Sequence, residues 1–232
     1  MQTYRTRAQL KQDAKNTLKG NWGKGILLYL ITMLYAYGTS VYSAGININN
    51  ALNNPTNLGT HFSTYGIVST IIGLLFGVIS TTADYRALDW IRNPQLQFQP
   101  VISNFARFKN PDWYKMIGMF IIVYVLTALW SLLLVIPGII KTFSYSQTYF
   151  IYKDLSDKGQ AGGYALVDFV TKSRQLMDGH KADLFVLYLS FIGWFILGGI
   201  TLGIGFIWII PYMRLTLANF YRDLVEKNPN VV

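Results

Sequence analysis

Residues Ile136–Asp154 read IPGIIKTFSYSQTYFIYKD, and the way this stretch lies decides the architecture of the whole chain. It follows a long apolar run and carries a Pro-Gly break, a lone lysine, and a stripe of hydroxyls, a glutamine and tyrosines. Its hydropathy alone is ambiguous. Ile136 to Tyr152 is seventeen residues, about 25 Å as helix, the short end of what crosses a bilayer. The residues beyond it are Lys153, Lys158, Lys172, Arg174 and Lys181. Without a crossing here, these bases would fall on the outer side, against the tendency of lysine and arginine to stay cytoplasmic. The stretch is therefore read as a span. Pro137-Gly138 becomes the turn of a tight outer hairpin, with proline in a helical first turn where its missing N–H costs nothing.

Composition supports a membrane setting. The chain is 52% hydrophobic and only 13% charged, roughly half the charge of a soluble domain. Several apolar runs match the bilayer thickness, and no hydrophilic stretch is long enough for a second domain, so residues 1–232 are expected to form one membrane domain. The net charge of +9 comes from bases in the loops between apolar runs, which fix orientation and make nucleic acid an unneeded partner. The absence of cysteine excludes disulfides and thiolate metal sites.

The pattern predicts an all-α polytopic protein with six transmembrane helices, at 25–42, 64–83, 116–135, 136–152, 184–200 and 205–221. They pair as three hairpins with both termini cytoplasmic. Eighteen of the twenty lysines and arginines then fall in cytoplasmic segments, and the outer loops at 43–63 and 201–204 contain none.

Two cytoplasmic amphipathic helices accompany the spans. In the first, Leu10, Ala14, Leu18 and Trp22 recur every four residues on a basic helix. This pattern suits the headgroup layer; the alternative packs the helix on other cytoplasmic loops. In the second, Leu166, Phe169, Val170, Ser173 and Met177 describe one face. Ser69, Gly73, Gly77 and Thr81 form a small-residue stripe in the second span, including a GxxxG suited to an internal helix contact. A weak echo relates Leu18-Lys-Gly-Asn-Trp before the first span to Met177-Asp-Gly-His-Lys before the fifth.

Several short motifs carry a resemblance. They are Pro137-Gly138-Ile139-Ile140-Lys141 with Tyr145-Ser146, Gly179-His180-Lys181, and Ser190-Phe191-Ile192-Gly193-Trp194. Thr201-Leu202-Gly203-Ile204-Gly205, Pro211-Tyr212 and Phe220-Tyr221 follow, with Arg7 to Lys11 and Gly20-Asn21-Trp22 near the start. With these the chain resembles the domain of unknown function 975 family, small integral membrane proteins of Gram-positive bacteria. The resemblance implies a helical plasma-membrane protein and supplies no reaction and no catalytic residues.

Chemistry-bearing residues are few. Lys141 and Arg214 are the charges inside the expected spans, with no acid in a span to pair them. One reading places Arg214, with Lys141, in a polar intramembrane pocket where Ser144, Tyr145, Gln147 and Thr148 donate hydrogen bonds and an anionic lipid headgroup or solute pairs the cation. The other lets Arg214 snorkel inward and Lys141 outward, the hydroxyls bonding neighbouring helices. His61 reads as a solvated loop residue, and His180 as an interface anchor beside Lys181 and Asp183. No HExxH, GxSxG, P-loop or intramembrane carboxylate pair is present, so no enzyme, metal or cofactor is expected. The leading expectation is a non-enzymatic accessory component of the envelope that binds other membrane proteins. The alternative is a small permease or lipid- or solute-binding protein using the Lys141/Arg214 region.

Overall fold

A computed structural model describes residues 4–53 and 64–232, and all regular structure in them is helical. Helix α1 (Arg7–Leu18) opens with a capping box: Thr6 N donates to Gln9 Oε1 at 2.8 Å and Gln9 N donates to Thr6 Oγ1 at 3.3 Å. Its apolar stripe does not lie in a headgroup layer. Leu10, Ala14 and Leu18 are buried, and the helix packs on the last helix of the chain, α11 (Phe206–Lys227). The interior takes up this stripe because a partner of matching shape is at hand, and buried Asn219 adds hydrogen bonds to Leu10 O and Asp13, both at 3.1 Å.

Helices α2 (Trp22–Asn53) and α3 (Thr64–Arg92) run well past the spans expected at 25–42 and 64–83. Residues 43–53 of the expected outer loop continue α2; residues 54–63, His61 among them, lie outside the described residues. A Cβ built on Gly73 would lie 3.4 Å from Tyr35 Oη, and one on Gly77 would lie 3.2 Å from the Phe120 ring, so the GxxxG stripe faces neighbours within this chain. The turn before α2 holds Gly20 at φ 75°, and the turn before the fifth expected span holds Gly179 at φ 78°. The two echoed segments therefore share a left-handed turn that glycine adopts without strain.

After α4 (Pro100–Ser103) and a 3-10 turn over Ala106–Lys109, helix α5 (Tyr114–Leu133) takes the third apolar run. The break that follows is Leu134, in extended conformation, rather than Pro137-Gly138. Pro137 instead sits in the first turn of α6 (Val135–Tyr145), where no intrahelical N–H bond is lost. Gly138 is the point of closest approach between α5 and α6: a Cβ there would come within 3.0 Å of the Ser131 backbone. The expected span 136–152 is not one helix. It is α6 and α7 (Thr148–Asp157), broken at Ser146-Gln147.

The break falls within a run of hydroxyls that bond the local carbonyls. Thr142 and Ser144 return hydrogen bonds to the carbonyls of Gly138 and Ile140, while Ser146 and Thr148 bond those of Phe143 and Tyr145. Such back-bonding competes with the helical ladder and bends it. Ser173, on α8 (Leu166–Leu176), spans the gap: its Oγ donates to Ser144 O at 2.8 Å and accepts from Gln147 N at 3.1 Å. Despite the break, α6 and α7 retrace α5, since Tyr152 Oη arrives 3.5 Å from the Asp112 carbonyl just before α5 begins.

The fifth apolar run is also interrupted, into α9 (Lys181–Leu189) and α10 (Ile192–Ile200), at Ser190-Phe191. Ser190 Oγ bonds Leu187 O, and Ser190 O accepts from Lys11 Nζ at 2.9 Å. Helix α11 continues through Pro211 to Lys227 and packs against α3, α1 and α2. Among the described residues, four stretches are long and apolar enough to cross a bilayer: Trp22–Ile46, Val68–Arg92, Tyr114–Leu132 and Lys181–Ile200. The helix ends gathered at one face are tied by charge. Arg92 meets Asp154 in a two-pronged pair at 2.6 and 2.7 Å, Arg222 meets Asp13 at 3.1 Å, and Arg5 meets Glu226 at 3.1 Å.

Candidate functional site

Arg214 is not an isolated cation. Its Nη1 lies 2.9 Å from Asp84 Oδ2, and Tyr29 Oη donates to Asp84 Oδ1 at 3.0 Å. The expectation of no acid in a span fails here, because α3 does not stop at Ala83. It continues as helix for nine more residues, to Arg92, and brings Asp84 opposite Arg214. The triad joins α2, α3 and α11, with one donor on each side of the carboxylate. The pair is half-buried, and the tyrosine hydroxyl satisfies a second oxygen of the carboxylate.

Beside the triad lies a cavity of about 410 Å³ between α3, α5, α6, α7, α9 and α11. Three residues expected in a pocket line it together: Tyr145, Gln147 and Arg214. The Ser146-Gln147 break positions Gln147, turning a residue on a helix surface inward at a kink. Gln147 is 4% exposed, and Tyr85, also lining the cavity, is 7% exposed. Gln147 Oε1 and Tyr85 Oη are buried with no hydrogen-bond partner among the described residues. An unpaired buried acceptor or hydroxyl is unfavourable, and the two residues that carry them both line this cavity.

The other three expected residues are elsewhere. Lys141 Nζ sits 4.3 Å from the centroid of the Trp130 ring, a cation–π contact across the α5–α6 hairpin, and does not line the cavity. The hydroxyls of Ser144 and Thr148 are bonded to Ile140 O and Tyr145 O within their own chain segment, and neither residue lines the cavity. His180 forms a 3.0 Å contact with Asp183 and packs on the Tyr4 ring.

Sequence reasoning did not place Asp84, Tyr85 and Tyr188 in this site. One signal was present for Tyr85: the stripe Ser69, Gly73, Gly77, Thr81, carried one further step of four, reaches it. Asp84 and Arg214 are the charged groups in the lining, so the cavity is formally neutral. No group of three or more histidines, cysteines or carboxylates is placed to hold a metal among the described residues.

A family model described as protein of unknown function (DUF975) matches residues 101–228, more than half of the chain and including most of the cavity lining. No curated protein and no solved structure matches the chain.

Proposed function

For a chain that belongs to the DUF975 family, whose description assigns no activity, we propose a membrane protein that holds a small polar solute or lipid headgroup of no net charge between its spans. The observation carrying this reading is a cavity lined by Gln147 and Tyr85, each of which has a buried polar atom left unpaired. Its volume lies within the usual range for ligand pockets, roughly 300–1,000 Å³. Because Asp84 already neutralises Arg214, an anion has no free charge to meet. A neutral, hydroxyl- or amide-bearing group, or a zwitterion set across the Arg214–Asp84 pair, suits the wall better. In this reading the protein is a small permease or lipid- or solute-binding protein rather than an accessory component without a ligand of its own, and it carries out no covalent chemistry.

The same proposal sets the protein in the plasma membrane, crossing six times as one domain with both ends inside. Its supports are the retracing of α5 by α6 and α7 and the charge pattern, which under six crossings puts eighteen of the twenty lysines and arginines in the segments assigned to the cytoplasm. The two crossings beyond the four most apolar stretches would be α6–α7 and α11, where Ser144, Gln147, Thr148, Thr216 and Asn219 are buried.

Purification of the full-length protein with native lipid, followed by mass spectrometry of what is retained, tests the ligand. Gln147→Leu and Tyr85→Phe are each expected to lower retention of a specific species several-fold. Thermal stability should hold or rise, because an unpaired buried group of about 1–3 kcal/mol cost is removed. Equal retention in wild type and both variants would return the accessory reading.

A further inference from the structure

A second cavity, of about 340 Å³, lies at the charged face, between the end of α3, the 3-10 turn and α7. Three cations line it, Arg86, Arg107 and Lys153, against two carboxylates, Asp89 and Asp157. Lys153 Nζ takes both acids, at 2.5 Å from Asp89 and 2.6 Å from Asp157, while Arg86 shares Asp89 at 3.5 Å. That leaves Arg107. It is 6% exposed and has no carboxylate within ion-pair distance among the described residues. Its terminal nitrogens donate to neutral oxygens, Tyr152 Oη and Ser156 Oγ. Arg107 Nε and Arg86 Nε are both buried with no hydrogen-bond partner.

A buried guanidinium without counter-charge is unfavourable, and two buried N–H donors left open beside it compound the cost. An anion in this pocket supplies the counter-charge that Arg107 lacks. With Lys153 held by the two carboxylates, the pocket still offers two guanidinium groups and the Asn110 amide, more donors than a carboxylate's two oxygens use well and a match to a tetrahedral oxyanion. We propose that this pocket binds a phosphate group. The site is independent of the central cavity, apart from Tyr85, which lines both and is left untouched by the test. The phosphate could be carried by a lipid headgroup or by a soluble compound, since the chemistry recognised is the same.

The experiment uses the full-length protein in a phosphate-free maltoside detergent and reads the thermal midpoint at matched ionic strength. One arm titrates inorganic phosphate against chloride; the other titrates phosphatidic acid against phosphatidylcholine. A saturable upward shift of several degrees is expected in at least one arm. Response to inorganic phosphate assigns a soluble ligand, and response confined to phosphatidic acid assigns a headgroup. Arg107→Gln should raise the half-saturating concentration at least tenfold. Arg86→Gln, whose side chain is less buried and whose fold is safer, should do the same, while the exposed Lys109→Gln should not. No saturable shift in either arm, or a shift that Arg86→Gln leaves unchanged, would overturn the proposal.

Discussion

Ser173 is fully buried and makes the two hydrogen bonds that hold the α6–α7 break closed. Its role follows from backbone arithmetic. At a helix break, a carbonyl and an N–H lose their ladder partners, and in a bilayer or a dry core no water replaces them. A serine hydroxyl both donates and accepts, so one side chain can satisfy both. Ser173→Ala removes both bonds at once and should cost about 1–3 kcal/mol, read as a lower thermal midpoint. A midpoint unchanged within error would mean that the break closes by itself. Ser173 was recognisable in the sequence as part of an amphipathic face, yet nothing in its own neighbourhood shows that it addresses Ser144 and Gln147, 29 and 26 residues away.

At the scale of elements, the sequence was read most faithfully where apolar residues run uninterrupted. The third run, expected at 116–135, is helix at 114–133. It was read less well where polar groups find distant partners. Asp84 looks like the start of a loop because a hydropathy window sees the acid and not Arg214, 130 residues on. The serines at the two breaks, Ser146 and Ser190, were visible, but hydroxyls of this kind also occur in unbroken helices, so their presence did not locate the kinks. The pocket was half legible for the same reason. Tyr145, Gln147 and Arg214 stood out as polar residues in apolar runs, and Ser144 and Thr148, which stood out with them, do not line the cavity. The ion pair that stitches α3 to α11 gives an element-level prediction. Arg214→Leu leaves the half-buried Asp84 without its cation and should cost about 1–3 kcal/mol, whereas Asp84→Leu/Arg214→Leu should cost clearly less than the sum of the two single changes. Additive losses in thermal or denaturant unfolding would show that the two side chains act separately.

Across the whole molecule, charge and apolarity are segregated. The exposed apolar side chains lie along α2, α5, α6 and α10, with Leu134 at 68%, Ile200 at 72% and Leu202 at 93% exposure, as lipid-facing surfaces are. The buried ion pairs gather where α1, α3, α7 and α11 meet. This division is what makes the path of 136–157 decisive. If the chain returns along α5, the charged ends share one side, and both the neutral cavity and the basic pocket sit where the proposals need them. The chain has no native cysteine, so a single introduced one reports its own position. The most direct measurement is labelling of Lys158→Cys and, separately, Leu202→Cys by a membrane-impermeant maleimide in intact cells. Labelling of position 202 from outside, with position 158 reactive only after permeabilisation, is the predicted result. Labelling of position 158 in intact cells would contradict the account.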